Sequence, residues 1–154
     1  MHDSNKIANE FLRLAKDSGL SLTPMQLLKL VFIAHGWMLG LYGEPLIADD
    51  VQAWKYGPVI PRLYRSIRHF RDKPVKGVLG SEDDVDLTDF EHDLISQVYK
   101  NYGQYTGIEL STLTHQPGSP WALTYQDDVP DLKISDEVIK HYYAGKASQP
   151  EAQA

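Results

Sequence analysis

The chain has 154 residues and no cysteine, so it is long enough for one domain with a genuine core, and disulfides and thiolate metal sites are excluded. Its formal net charge of −6 argues against wholesale nucleic-acid binding. No apolar run reaches about 18 residues without a polar interruption, and the start MHDSNKIANEF lacks the basic-then-apolar layout of a secretory leader, so no membrane association is expected and the cytoplasm is the expected compartment.

A first helix is predicted from Ser4 to about Ser18, with Ile7, Phe11 and Leu14 on one stripe and Gly19 at its left-handed end. The second has the clearer start: Thr23 is a natural N-cap, Pro24 suits the first helical position, and Gln26 completes a capping box. It runs to about Tyr42, stops at Gly43, and is apolar almost all round, which places it inside a core. Leu46 with Ile47 and Val51 to Trp54 are predicted as two short strands joined through Asp49-Asp50, the second stopped by Gly57 and Pro58. Pro61 opens a third helix to about Arg71, with Leu63, Ile67 and Phe70 facing inward. Val75 to Leu79 is expected to add an edge strand, although Gly77 weakens it.

Thr88 and Glu91 form a capping box for a fourth helix, whose predicted buried stripe is Phe90, Leu94, Ile95, Val98 and Tyr102. Thr106 and Glu109 repeat the box for a short fifth helix ending near Thr114, and Ser119 caps a turn opened by Pro120. The last helix is predicted from about Ser135 to Ala144, with Asp136 and Glu137 favouring its N-terminal dipole. After Gly145 the residues KASQPEAQA are small and polar and read as a disordered tail. The expected architecture is mainly α with a small antiparallel β-sheet (α+β): a compact single-domain helical bundle around a central apolar helix, residues 1–145 globular and 146–154 a tail.

Charge is unevenly spread. Arg62, Arg65, Arg68, Arg71, Lys73 and Lys76 stand against the single Asp72, whereas Glu82 to Asp93 is acidic with no lysine or arginine. Arg62, Arg65, Arg68 and Arg71, with His69, lie close together on the predicted third helix, and guanidinium forks suit anionic partners. A solvated arginine face, a contact for an acidic protein surface and a contact for DNA all remain open.

Little in the sequence calls for catalysis. Ser111, His115, Ser119 and Asp127 are close in the chain, but a nucleophile and base need hydrogen-bond geometry that spacing cannot supply, and no nucleophile elbow is present. His115 is expected to bond the backbone near a helix end, and Trp121 to fill an apolar slot. His35 on the apolar helix reads as a satisfied core residue. His69, His92 and His141 show no metal-ligand spacing, and no phosphate loop or dinucleotide fingerprint occurs, so no metal, cofactor or catalytic residue is expected. In AWKYGPV, Trp54 and Tyr56 share a face if the strand continues; Trp54 is expected to be buried, and Tyr56 is left between core and interface. Gly57 and Pro58 have backbone reasons of their own, freedom at φ and a locked turn.

The runs KLVFIAHGW, PLI, AWKYGPVIPRLY, LSTLTH and SPW together resemble the Panacea domain of SocA-like antitoxins, a family that includes phage-associated proteins. The resemblance extends from about Met25 to about Trp121 and is carried most specifically by AW-x-YGPV following such a helix. Within it fall Lys29, His35, Trp37, Trp54, Tyr56, Gly57, Pro58, His115, Pro120 and Trp121, expected to be chiefly structural. The resemblance implies a non-enzymatic antitoxin that neutralises a toxin encoded beside it by binding. A related route is delivery of that toxin to a AAA+ protease. Tyr56, Arg62, Arg65, Arg68, His69 and Arg71 are the expected partner-binding residues. The alternatives are a DNA-binding regulator of its own operon and a hydrolase using His115.

Overall fold

The computed structural model describes residues 1–149. Among the described residues seven α-helices and three short strands follow one another: α1 (Ser4–Asp17), α2 (Pro24–Tyr42), β1 (Val51–Trp54), β2 (Gly57–Val59), α3 (Pro61–Ile67), α4 (Asp89–Tyr102), α5 (Gly107–Thr114), α6 (Pro120–Thr124), β3 (Leu132–Ile134) and α7 (Asp136–Ala147). The fold is α+β as expected, with an antiparallel sheet of order β2-β1-β3 beside a helical body.

The helix starts follow from local chemistry. Thr23, Thr88 and Thr106 each accept a bond from the backbone three residues on, and Gln26, Glu91 and Glu109 return it, so three capping boxes are complete. Asp3, Ser119 and Ser135 cap α1, α6 and α7 through one side-chain oxygen each. At the far end of α2, Gly43 takes the left-handed conformation (φ 72°) and sends its N–H to the Leu39 carbonyl.

α2 is the centre of the core. Its residues from Leu27 to Leu39 are buried, packed by α1, α4, α5 and α7. Among the described residues it is the one helix long and apolar enough to cross a membrane, and its burial within the domain accounts for that composition. Its tightest neighbour is α7. A β-carbon on Gly36 would lie 2.2 Å from the Tyr143 ring, and one on Gly40 2.6 Å from the Tyr143 backbone carbonyl carbon, so both glycines exist to let α7 approach. Tyr143 fills the gap, its ring edge-on to Trp37 at 5.2 Å.

His35 is fully buried on the same helix, and its role as a satisfied core residue holds. Its Nδ1 accepts from the backbone N–H of Leu46 and Ile47 (3.2 and 3.3 Å), which fixes the proton on Nε2, and Nε2 donates to Asp136 at 3.0 Å. That bond holds the Asp136 carboxyl below its usual range, against the opposing effect of burial. One side chain thus ties the α2 core to the loop before β1 and to the start of α7.

Several local expectations are corrected. Gly57 and Pro58 do not stop a strand; they begin β2, because a two-residue turn at Lys55-Tyr56 folds the chain back so that Trp54 pairs with Gly57. Leu46 and Ile47 form no strand with β1; Ile47 makes an isolated parallel bridge to His2. Val75 to Leu79 is not an edge strand either. It is held by Val75 N–H to the Leu22 carbonyl and by Asn9, which bonds both backbone groups of Leu79. The third strand is β3, which pairs with β1 from the other side.

α3 ends at Ile67 and tightens into a 3₁₀ turn over Arg68–Phe70, after which Arg71 sits at φ 58°. Phe90, placed in the buried stripe of α4, is exposed, while Leu94, Ile95 and Val98 are buried. α7 continues through Gly145 to Ala147. The expectation of a disordered tail, where it concerns residues 150–154, lies outside the described residues.

Candidate functional site: a clamped hairpin tip

The hairpin β1–β2 carries at its tip the residues Lys55 and Tyr56. Alternation along β1 turns Val51 and Ala53 into the core and leaves Gln52 and Trp54 half-buried on the other side. Trp54 is therefore not the fully buried anchor expected. Its ring stands edge-on to Tyr64 of α3 at 5.1 Å, and its Nε1 donates to Gln52.

Three carbonyls around the turn are each gripped by a different helix. Trp54 O accepts from Trp121 Nε1 on α6 (2.5 Å), Tyr56 O from Ser111 Oγ on α5 (3.2 Å), and Pro58 O from the Lys29 ammonium on α2 (2.8 Å). Residues 54, 56 and 58 are thus held from three directions, and the tip is fixed without its own side chains being consumed.

Lys29 is the unusual member. It is 4% exposed, and burial lowers its pKa from 10.5 to about 8. Gly57 lies over it: a β-carbon there would come 3.1 Å from Nζ, and the Gly57 φ of 126° already disfavours a side chain. The glycine is required twice, by the turn and by the ammonium beneath.

Behind the clamp, aromatic rings pack in series. His115, at the C-cap of α5, sets its ring edge-on to Trp121 at 4.2 Å, and Trp121 stacks on Tyr125 at 4.8 Å. The His115 backbone N–H bonds the Thr112 carbonyl, but among the described residues its ring makes this aromatic contact and not the backbone bond expected of it. Trp121 is half-buried and acts as a hydrogen-bond donor to the hairpin as well as an apolar filler. Pro120 is buried at the first position of α6 and so sets where Trp121 points. Trp37 is buried deeper on α2, with Nε1 donating to the Tyr102 hydroxyl.

What the clamp presents is Tyr56, 72% exposed, with the Lys55 ammonium 5.5 Å from its ring centre. The arginines lie elsewhere, on α3 and just after it, and differ in their partners. Arg62 is neutralised by Asp3 and Glu82 (3.2 and 3.0 Å), and those contacts raise its pKa, chiefly through Glu82. Arg65, Arg68 and Arg71 are exposed and have no ion-pair partner among the described residues, and His69 lies against Phe70. The acidic stretch is likewise partly used within the fold, since Asp83 and Glu91 bracket the two ring nitrogens of His2.

Ser111, His115, Ser119 and Asp127 do not assemble into a nucleophile–base pair. Ser111 bonds the Tyr56 carbonyl, Ser119 caps α6, and no hydrogen bond links His115 to either serine among the described residues. Nor does any group of three potential metal ligands come together among them. Sequence reasoning passed over Ser111 and Thr114 as neighbours of the hairpin, and Gly36 and Gly40 as the seat of Tyr143. The glycines did carry a signal: small residues four apart on an apolar helix mark a close helix contact.

A family model described as "Antitoxin SocA-like, Panacea domain" matches residues 27–122, a span that holds Lys29, the whole hairpin, Ser111 and Trp121. The chain is similar to "Antitoxin SocA" of Caulobacter vibrioides (strain NA1000 / CB15N), 27% identical over 155 residues covering 90% of this chain and 80% of that protein. No solved structure matches it.

Proposed function

The chain belongs to the SocA-like antitoxin family through its Panacea domain, and from that premise we propose that it neutralises a toxin encoded beside it by binding that toxin directly, with the hairpin tip as anchor. The observation that carries this reading is the exposure of Tyr56 on a turn whose carbonyls are bound by three helices. A rigid exposed tyrosine offers a large contact area with little side-chain entropy to lose, the property that makes tyrosine frequent among binding hot spots. No group at the tip is arranged for bond cleavage, so its chemistry is that of contact.

Two modes of neutralisation follow from binding. The toxin is covered, or it is carried to a AAA+ protease. Co-expression of the adjacent gene with this protein separates them: covering leaves toxin levels unchanged while growth recovers, and delivery shortens the toxin's half-life in a protease-dependent way. A neighbour that is harmless when expressed alone would remove the main support for either mode.

A second reading, promoter binding, is favoured by one observation: Arg65, Arg68 and Arg71 are exposed and unpaired among the described residues. It predicts affinity for the operon's own promoter that falls steeply with salt. Replacing the three arginines with glutamine would abolish this affinity and leave toxin binding through Tyr56 intact.

A further inference from the structure

On the flank away from β2, α4 crosses α2 in the opposite sense: Phe90 near its start meets Tyr42, with rings 4.6 Å apart, and Tyr102 near its end meets Trp37. Between the two helices runs a groove of about 650 Å³. Trp37 and Tyr102 line its floor, and Leu41, Tyr42 and Phe90 stand along it at 49%, 53% and 48% exposure. None of the residues lining it belongs to the hairpin or to its three clamps.

The amides of Gln97 and Asn101 also line the α4 side, and one charge enters there. Asp93 is the single charged residue lining the groove, and it has no ion-pair partner among the described residues. Asp89 sits one turn before it on α4. A second copy seated face to face would bring two such acidic faces together, which opposes self-association here. A basic, apolar segment instead satisfies both features of the surface.

We infer that this groove is a second docking surface, one that takes a helical segment of a partner polypeptide with an apolar face and a lysine or arginine placed to meet Asp93. α4 has 14 residues, so the seam is about 21 Å long, enough for apolar anchors at i, i+3 or i+4, and i+7 of a bound helix. The inference goes beyond the hairpin reading and does not depend on it. An antitoxin with two separate contact surfaces can hold one protein while presenting it to another.

The test uses the full chain and a labelled amphipathic helix of leucine and lysine, about 18 residues long, followed by fluorescence anisotropy at physiological salt. Saturable binding is expected, with its leucine–glutamate counterpart bound at least about tenfold more weakly. Asp93→Lys and Phe90→Ala should each weaken binding about tenfold or more. Asp72→Lys, the same charge change at an exposed site outside the groove, should leave it within about twofold, as should Tyr56→Ala, so failure here and failure at the hairpin are separable. Equal binding of the two peptides, absence of binding, or equal loss in Asp93→Lys and Asp72→Lys would overturn the inference. So would a dimer in sedimentation that Phe90→Ala dissolves, since a second copy would then be the occupant.

Discussion

The two flanks of α2 are finished in unlike ways. Against α7 the helix offers Gly36 and Gly40, and the backbone of Tyr143 comes so near that no β-carbon fits between. Against α4 it offers Leu41 and Tyr42, with Trp37 reaching both neighbours, and a groove lined also by Asp93, Gln97 and Asn101 stays open to water. The same nearly all-apolar helix is sealed on one side and unfinished on the other. Residue size at the contact, and not apolar character, decides which side can accept something more.

Substitutions on the sealed side should be the most damaging. Gly40→Ala gains helix propensity of about 1 kcal/mol, yet its β-carbon must displace backbone of α7, so a net loss above about 3 kcal/mol, or failure to fold, is expected in urea unfolding. His35→Leu strands the N–H groups of Leu46 and Ile47 and releases Asp136, for an expected loss of about 2–4 kcal/mol by the same measurement. If either loss matched that of Phe90→Ala, the contrast between the flanks would be gone.

The hairpin-facing side of α2 should show itself through pH. Lys29 ionises near 8 when folded and near 10.5 when unfolded, so between those values the unfolded chain binds more protons, and stability rises with pH. The gain is full above the unfolded pKa and is lost as pH falls through about 8, a span of about 3 kcal/mol. Above pH 10 the raised pKa of buried Tyr143 works in the opposite direction, which makes pH 8 to 10 the window to examine. Thermal melts across it should rise for the native chain and flatten for Lys29→Met. The smallest effect belongs to the open side: Phe90→Ala should cost less than about 1 kcal/mol in the same melts, because the ring is half in water already.

Much of this was legible beforehand because it is local. Three Thr-x-x-Gln/Glu boxes, Pro24 and Pro120 at first helical positions, and Gly43 at a helix end each act through neighbours in the chain, and each appears in the fold. The sheet was harder. β3 is three residues long, and it owes its existence to Val51–Ala53, some eighty positions earlier. Gly57 and Pro58 look like strand breakers yet pair with Trp54 and Ala53, since the tip folds at Lys55-Tyr56 and the simple alternation that put Trp54 and Tyr56 together stops there. Phe90 fitted the periodic stripe of α4, but periodicity cannot tell whether a neighbouring helix is close enough to cover the ring.

At the candidate site, Tyr56, Gly57 and Lys29 could be picked out from the chain, but not the reason they belong together. That reason is the grip on three successive alternate carbonyls by Trp121, Ser111 and Lys29, residues drawn from segments far apart in the chain. The arginine row divided for a similar cause: Arg62 found carboxylates at positions 3 and 82, and its neighbours found none among the described residues.

The most direct measurement is the affinity of purified Tyr56→Ala for the toxin from the adjacent gene, taken beside its melting temperature. With Tyr56 as the anchor, the dissociation constant should rise by at least about thirtyfold, the usual loss for a hot spot worth 2 kcal/mol, while the melt stays unchanged. An affinity equal to that of the native chain, at unchanged stability, would contradict the role given to the hairpin tip.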